Sequence, residues 1–438
     1  MEPKPGDKVK VETKEEVIEG MLMPRAEYLD ENTIILKLNS GYNIGLNRNE
    51  IRSIEIIKES EQKREKKLVL KHNPKLPIIS ILHTGGTIAS RVDYRTGAVF
   101  SSFTPEDLIE QFPELAKIAN FNSELISNMW SDDLRFKHFE IIAKAVEREV
   151  KKGVEGIIIG IGTDNLAVAS AALAFIIEQS PIPILLVGAQ RSSDRGSSDA
   201  YINLVCAAEF ITDSDFAGVA ICMHENTDDN TCAIFPATKT RKLHTSRRDA
   251  FKPVNDNIIA RIHYDSRKIE FVKKDYPKKD KAKNIVIKPS MEEKVGLLKI
   301  HINMLPEQFS FFKEYKGLVI EGTGLGHTPG HMPNEIARIH LEIFPAIKRV
   351  IDSGCVVVMT SQTIFGRVNM HVYNKGVDLL NLGVLSGEDM LAETAFVKLA
   401  WLLANYPKEK VKELVGKNLR GEISERISCS EFIEDLIS

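Results

Sequence analysis

Residues 78–90 read Ile78-Ile79-Ser80-Ile81-Leu82-His83-Thr84-Gly85-Gly86-Thr87-Ile88-Ala89-Ser90. An apolar run broken only by Ser80 ends in two glycines and a threonine. A short run of this kind, bounded by glycine, predicts a strand buried on both faces that feeds a tight turn. Gly85 and Gly86 open backbone conformations closed to other residues, and they leave room for a substrate beside the main chain. Thr87 then stands at the carboxyl end of the strand, where open α/β sheets bind ligands. Alone, the pattern fits an ordinary strand–turn–helix junction equally well.

Two further segments repeat it. Gly156-Ile157-Ile158-Ile159-Gly160-Ile161-Gly162-Thr163-Asp164-Asn165 is an apolar strand, glycines and a Thr-Asp pair ahead of an Ala-rich helix over Ala167 to Ile177. Pro183-Ile184-Leu185-Leu186-Val187-Gly188-Ala189-Gln190-Arg191 again ends in glycine and polar residues. Three buried strands that deliver hydroxyls, a carboxylate and backbone groups to one edge predict an active site. Together, TGGTIAS, GTDNLA and VGAQR resemble the bacterial-type L-asparaginase/glutaminase family, over roughly residues 77–438. The paired threonine motifs are highly specific to it.

The chemistry accounts for the residue types. Hydrolysis of a side-chain amide needs a nucleophile, a base to deprotonate it, and donors for the oxyanion. A threonine hydroxyl is inert at its free pKa, so a base must lie within hydrogen-bond reach. The resemblance implies a catalytic group of two threonines, an aspartate and a lysine: Thr87, Thr163, Asp164 and a lysine of the segment Ala237 to Phe251. The family spaces that lysine nine positions before a Phe in a D-A-F-like segment, which selects Lys242 over its rival Lys239. For either, an ordinary surface lysine is the alternative reading. A basic lysine needs desolvation or a nearby cation, and Arg241, Arg247 and Arg248 are neighbours in sequence.

The resemblance also implies binding groups. Ser131, in Asn128-Met129-Trp130-Ser131-Asp132-Asp133, would donate to a substrate α-carboxylate, and Asp132 with Asp164 would hold its ammonium. The competing reading makes Ser131 a helix N-cap with acids in the first turn. Ala189 offers a backbone carbonyl to orient the scissile amide, and Tyr94 falls where the family carries a mobile lid. Gly322-Thr323-Gly324-Leu325-Gly326-His327 matches a loop that completes a neighbouring protomer's site in the family, but Leu325 and His327 depart from its amide side chains. A loop-stabilising histidine is the expectation for His327.

A chain of 438 residues, 43% hydrophobic and 27% charged, is a soluble protein of two or three domains. Five cysteines without CxxC spacing argue against a zinc site and a disulfide framework. The first residues lack a signal-peptide core and no apolar run is long enough to cross a membrane, so a reduced cytoplasm is expected. A net charge of -3 leaves no global footprint for nucleic acid.

Residues 1–57 predict five short strands and a small β-barrel, with Lys58 to Lys67 as a charged linker. From Pro77 to about Tyr264, strands alternate with helices as in a doubly wound α/β domain. A polar stretch, Lys273 to Lys283, precedes a smaller α/β unit that resumes at Val295. The domains are thus expected over 1–72 (barrel and linker), 73–280 (large asparaginase-like α/β domain) and 281–438 (linker and smaller α/β domain).

A free asparaginase has no need of the barrel. The combination resembles an archaeal branch of the family, the glutaminase components of tRNA-dependent amidotransferases. That resemblance implies glutamine hydrolysis, with ammonia passed to an E subunit that amidates Glu-tRNA(Gln). It also implies a homodimer within a heterotetramer, and no cofactor in this chain, ATP and Mg being expected in the partner. The chain carries no Walker A sequence. Residues 1–60 hold more acids than bases and no aromatic-interleaved basic platform, which favours protein contact or a modest tRNA contact for the barrel. A cytosolic L-asparaginase with an appended barrel is the alternative, and a catalytically silent scaffold is disfavoured by the intact Thr87, Thr163, Asp164 and Lys242 set.

Overall fold

The isoleucine- and valine-rich runs have the composition of strands covered on both faces, and each is one. The computed structural model describes residues 3–23, 32–38, 43–59, 72–85, 91–92, 99–100, 114–191, 198–427 and 432. Strands Ile78–His83, Gly156–Gly160 and Pro183–Val187 lie side by side and parallel, with Ile158 opposite both Ile81 and Leu185. They fill three adjacent places toward one side of an eight-stranded sheet, with Ile78–His83 next to the edge strand. Asn120–Leu125 adds in parallel outside Ile78–His83, and Gly218–His224 in parallel outside Pro183–Val187.

Successive side chains of a strand point to opposite faces, and the two cores of this sheet divide accordingly. Ile157, Ile159, Ile184 and Leu186 enter one core with helices Phe136–Lys151 and Leu166–Ile176. Ile79, Ile81, Ile158, Leu185 and Val187 enter the other, under helix Ala200–Asp213. One edge departs from pure doubly wound order. Thr231–Pro236, Ala260–His263 and Ile269–Phe271 continue the sheet antiparallel to their neighbours. Only residues 225–230 join Gly218–His224 to Thr231–Pro236. That is too short for the crossover a parallel partner requires.

The smaller unit is a parallel sheet of Val295–Lys299, Gly317–Gly322, Val356–Ser361 and Leu385–Ser386. Its helix Ala392–Asn405 packs on Leu166–Ile176, so Trp401, Val319 and Val358 share a core with Ile157 and Phe175. The N-terminal unit is five antiparallel strands over Lys8–Thr13, Val17–Met23, Thr33–Lys37, Asn43–Asn47 and Ile51–Lys58, in spatial order fourth, third, second, first, fifth. Val9, Val11, Leu22, Ile34 and Leu36 form its own small core. Among the described residues, no helix is long and apolar enough to cross a membrane.

Candidate active site

Parallel pairing in register aligns the carboxyl ends of these three strands, and Thr84-Gly85, Ile161 to Asp164 and Gly188 to Arg191 emerge from them together. The Thr84 N–H donates to the Gly160 carbonyl at 3.0 Å, and the Thr84 carbonyl accepts the Met129 N–H at 3.0 Å. Gly85 sits at φ +92°, and a Cβ there would lie 2.9 Å from the Met129 nitrogen. Glycine is required by both conformation and space. This turn brings residues 128–133 onto the sheet edge, where Ser131 meets Gly162: a Cβ on Gly162 would lie 2.9 Å from the Ser131 Cβ and Oγ. Ser131 is buried, and its Oγ accepts the Asn165 N–H at 3.4 Å while its carbonyl accepts from Asn165 Nδ2 at 2.9 Å. Trp130, not Ser131, occupies the cap position of the short 3-10 turn Ser131–Asp133. The Ser131 oxygen therefore caps no N–H of its own turn and accepts that of Asn165 instead.

Lys242 closes the site from the other side. It ends the short strand Thr240–Lys242, whose ribbon partner is Phe251–Pro253, with Lys242 opposite Phe251. The nine-residue spacing to Phe251 is thus a hairpin register. The Lys242 Nζ donates to Thr163 Oγ1 at 2.9 Å and to Asp164 Oδ1 at 2.8 Å. The Lys242 side chain is 13% exposed and that of Asp164 73%, so the ammonium is shielded while the carboxylate opens to solvent. Thr163 is buried, and its Oγ1 lies 3.4 Å from Gln190 Oε1.

Lys239 is elsewhere. Its Nζ, buried, donates to Asp389 Oδ2 at 2.5 Å, Ser424 Oγ at 2.5 Å and the Asn255 carbonyl at 3.1 Å. It is not a surface lysine: it ties the large α/β unit to the smaller one and to the C-terminal segment, away from Thr163 and Asp164. The three arginines near Lys242 in sequence pair with carboxylates, Arg241 with Glu393, Arg247 with Asp249 and Arg248 with Asp229.

Of the other expected residues, Asp132 is exposed beside Ser131, and Ala189 is buried between Gly188 and Gln190. Thr87 and Tyr94 lie outside the described residues. His327 donates its backbone N–H to the Thr323 carbonyl at 3.1 Å and meets Tyr373 edge-on at 5.4 Å. Burial, then the Lys375 charge, lowers the His327 pKa. Cys206, Cys222, Cys232 and Cys355 are free thiols, and among the described residues no group of His, Cys, Asp or Glu is arranged to hold a metal ion. Cys429 lies outside the described residues.

Sequence reasoning missed the support behind Gln190. Asp199 is fully buried, and its carboxylate accepts the N–H groups of Gln190 at 3.0 Å and Arg191 at 2.9 Å. Asn203 donates to the Gly188 carbonyl at 3.1 Å. The signal was an acid and an amide set four apart at the start of an otherwise apolar helical run, since buried polar groups are retained where they have partners.

The chain matches family models for three segments: the N-terminal asparaginase domain over residues 78–276, the glutaminase/asparaginase C-terminal domain over 294–414, and the GatD N-terminal domain over 3–57. It is 44% identical over 429 residues to the GatD component of glutamyl-tRNA(Gln) amidotransferase from Methanococcus maripaludis strain C6, covering 97% of this chain and 99% of that one. The chain belongs to the GatD family of glutamyl-tRNA(Gln) amidotransferase components. A second member, from Pyrococcus furiosus, is 44% identical, with 97% of this chain and 95% of that one covered. Among solved structures, the thermostable L-asparaginase from Thermococcus kodakarensis aligns with a TM-score of 0.69 at 27% identity, over 80% of this chain and 100% of that one. A GatD chain is therefore an asparaginase-like body preceded by a small antiparallel β unit.

Proposed function

We propose that the chain hydrolyses glutamine and supplies the ammonia to an E subunit, which converts Glu-tRNA(Gln) to Gln-tRNA(Gln) with ATP. The observation that carries this reading is the Lys242 Nζ seated between Thr163 Oγ1 and Asp164 Oδ1, at 2.9 and 2.8 Å. An amine carrying a lone pair at that place takes the proton of Thr163. Asp164 holds it there, and the Thr163 hydroxyl, which in the resting site donates to Gln190 Oε1, turns its proton to the amine for this transfer. The threonine pair Thr87 and Thr163 supplies the nucleophile. Attack on the glutamine side-chain carbonyl forms a γ-glutamyl ester on one of the two hydroxyls. The proton returns to the leaving nitrogen as ammonia, and water then releases glutamate.

Recognition follows from the same edge. Ser131 Oγ and the first turn of helix Leu166–Ile176 suit an α-carboxylate, and the exposed carboxylates of Asp132 and Asp164 suit an α-ammonium. The ATP and Mg2+ of amidation belong to the partner in this reading, which places a homodimer of this chain within a cytoplasmic heterotetramer. The GatD relatives are matched over nearly their full length, N-terminal unit included, which supports the amidotransferase reading over a free L-asparaginase.

The test is ammonia release from glutamine and from asparagine, by the chain alone and with the E subunit plus Glu-tRNA(Gln). The reading predicts slow glutamine hydrolysis alone and a rise of about a hundredfold with both components. Such a rise corresponds to about 2.7 kcal/mol of coupling, within the ordinary range. Full activity on asparagine, unchanged by partner or tRNA, would establish a free asparaginase instead.

A further inference from the structure

Thr163 stands between two walls of the site, the ribbon that carries Lys242 and the loop Gly188 to Arg191 that carries Gln190. These walls come from different parts of the chain, and a buried polar relay backs the second of them. It starts at Asp199, which holds the backbone N–H groups of Gln190 and Arg191. Asn203, also fully buried, spends its amide N–H groups on the Gly188 carbonyl at 3.1 Å and on Asp199 Oδ2 at 3.3 Å. Its Oδ1 therefore turns the other way, to His224 Nδ1 at 2.6 Å and Cys232 Sγ at 3.5 Å.

An amide oxygen only accepts, so the imidazole proton is on Nδ1. In the neutral ring Nε2 then carries a lone pair, 3.4 Å from Asp229 Oδ1, and makes no hydrogen bond to that carboxylate. Arg248 grips Asp229 and also donates to the Thr227 carbonyl. Arg248 belongs to the loop joining Thr240–Lys242 to Phe251–Pro253. The Arg248–Asp229 pair therefore braces the Lys242 ribbon from outside, and the hydrogen-bonded relay behind Gln190 ends at the His224 ring.

We propose that His224 and Asn203 are positioning residues for the amidase site, fixing through Asp199 the Gly188–Arg191 wall that carries Gln190 against Thr163. This rests on the amidase reading of Thr163 and Lys242. All four hydrogen-bonding capacities of the Asn203 amide are used, and a buried network satisfied in this way is rigid. A base and a hydroxyl must meet within a few tenths of an ångström, and an error near 1 Å costs on the order of a hundredfold in rate. Neither residue touches the reacting atoms. Their loss should therefore appear in kcat and leave binding of the α-amino acid group at Ser131 and Asp132 nearly untouched.

Two variants of the full chain test this, His224→Phe and His224→Asn, of which the second keeps an N–H where Nδ1–H stood. Steady-state ammonia release from glutamine should show kcat down roughly ten- to a hundredfold in His224→Phe. KM should stay within about threefold, and His224→Asn should recover most of the loss. Hydrogen exchange at the Gln190 and Arg191 amides reads the relay without turnover: protection should fall in His224→Phe and return in His224→Asn. Folded variants with unchanged kcat and unchanged amide protection would overturn the proposal. Absence of ammonia release from the unaltered chain with its partner would instead remove the amidase reading, and the exchange measurement would still decide the relay.

Discussion

Replacing Lys239 with methionine separates a structural lysine from Lys242, the lysine proposed as the base. Methionine keeps most of the stem volume and removes the ammonium that now donates to Asp389, Ser424 and the Asn255 carbonyl. Asp389 is fully buried, and breaking a buried pair by removing one partner costs about 3–5 kcal/mol. Asp389 keeps the Arg367 guanidinium at 3.4 Å and the Ser424 N–H at 3.0 Å, which favours the lower end of that range. Unfolding entropy near 2.1 cal/mol/K per residue gives the α/β body roughly 0.7 kcal/mol/K, so the midpoint should fall by roughly 4–7 °C. Thermal unfolding followed by circular dichroism measures the shift, alongside ammonia release well below the midpoint. Turnover there should stay within a few-fold of the unaltered chain. The double variant Lys239→Met/Asp389→Leu should be less destabilised than the single, because no charge is left unpaired by the missing lysine. An unchanged midpoint, or a folded protein that has lost turnover, would refute this assignment of Lys239.

Gly85→Ala forces a side chain onto φ +92° with its Cβ 2.9 Å from the Met129 nitrogen. It should lower stability by about 1–3 kcal/mol in chemical denaturation, and raise KM for glutamine because the Ser131 segment is displaced. For His224, burial outweighs the carboxylates of Asp199 and Asp229, with the Arg248 charge acting in the same sense as burial, and the folded-state pKa lies below the ordinary 6.5. The neutral ring sits among Asn203, Cys232, Asp229 and Arg248. A depressed folded pKa contributes stability above pH 6.5 that is lost as pH falls through the folded value. His224→Asn should therefore flatten the loss of stability on acidification below pH 6.5, measured by urea unfolding across pH.

The reach of the sequence differs from residue to residue. Residues 78–83, 156–160 and 183–187 announce themselves because a strand buried on both faces must be apolar throughout, and glycines at their ends mark the turns. Lys242 was legible as spacing because that spacing is the register of a ribbon, with Lys242 opposite Phe251. Lys239 was not, since its partners Asp389 and Ser424 lie 150 and 185 residues away. His224, Asn203 and Asp199 read as isolated polar residues in apolar runs, and only the packing of helix Ala200–Asp213 against strand Gly218–His224 joins them. The antiparallel edge of the large sheet was missed for a related reason. Its first strand, Thr231–Pro236, is as apolar as a parallel one, and only the short turn at 225–230 gives its direction.

The proposed chemistry depends most directly on the amine beside Thr163, and one measurement addresses it: ammonia release from glutamine by Lys242→Met, assayed with the E subunit and Glu-tRNA(Gln). Removing a base within 2.9 Å of the hydroxyl it serves should lower kcat by about 10²- to 10⁴-fold. The melting curve should stay within a few degrees of the unaltered chain, because Lys242 contacts solvent-open Asp164 and no buried carboxylate. A folded Lys242→Met protein that releases ammonia at the rate of the unaltered chain would contradict the site as described.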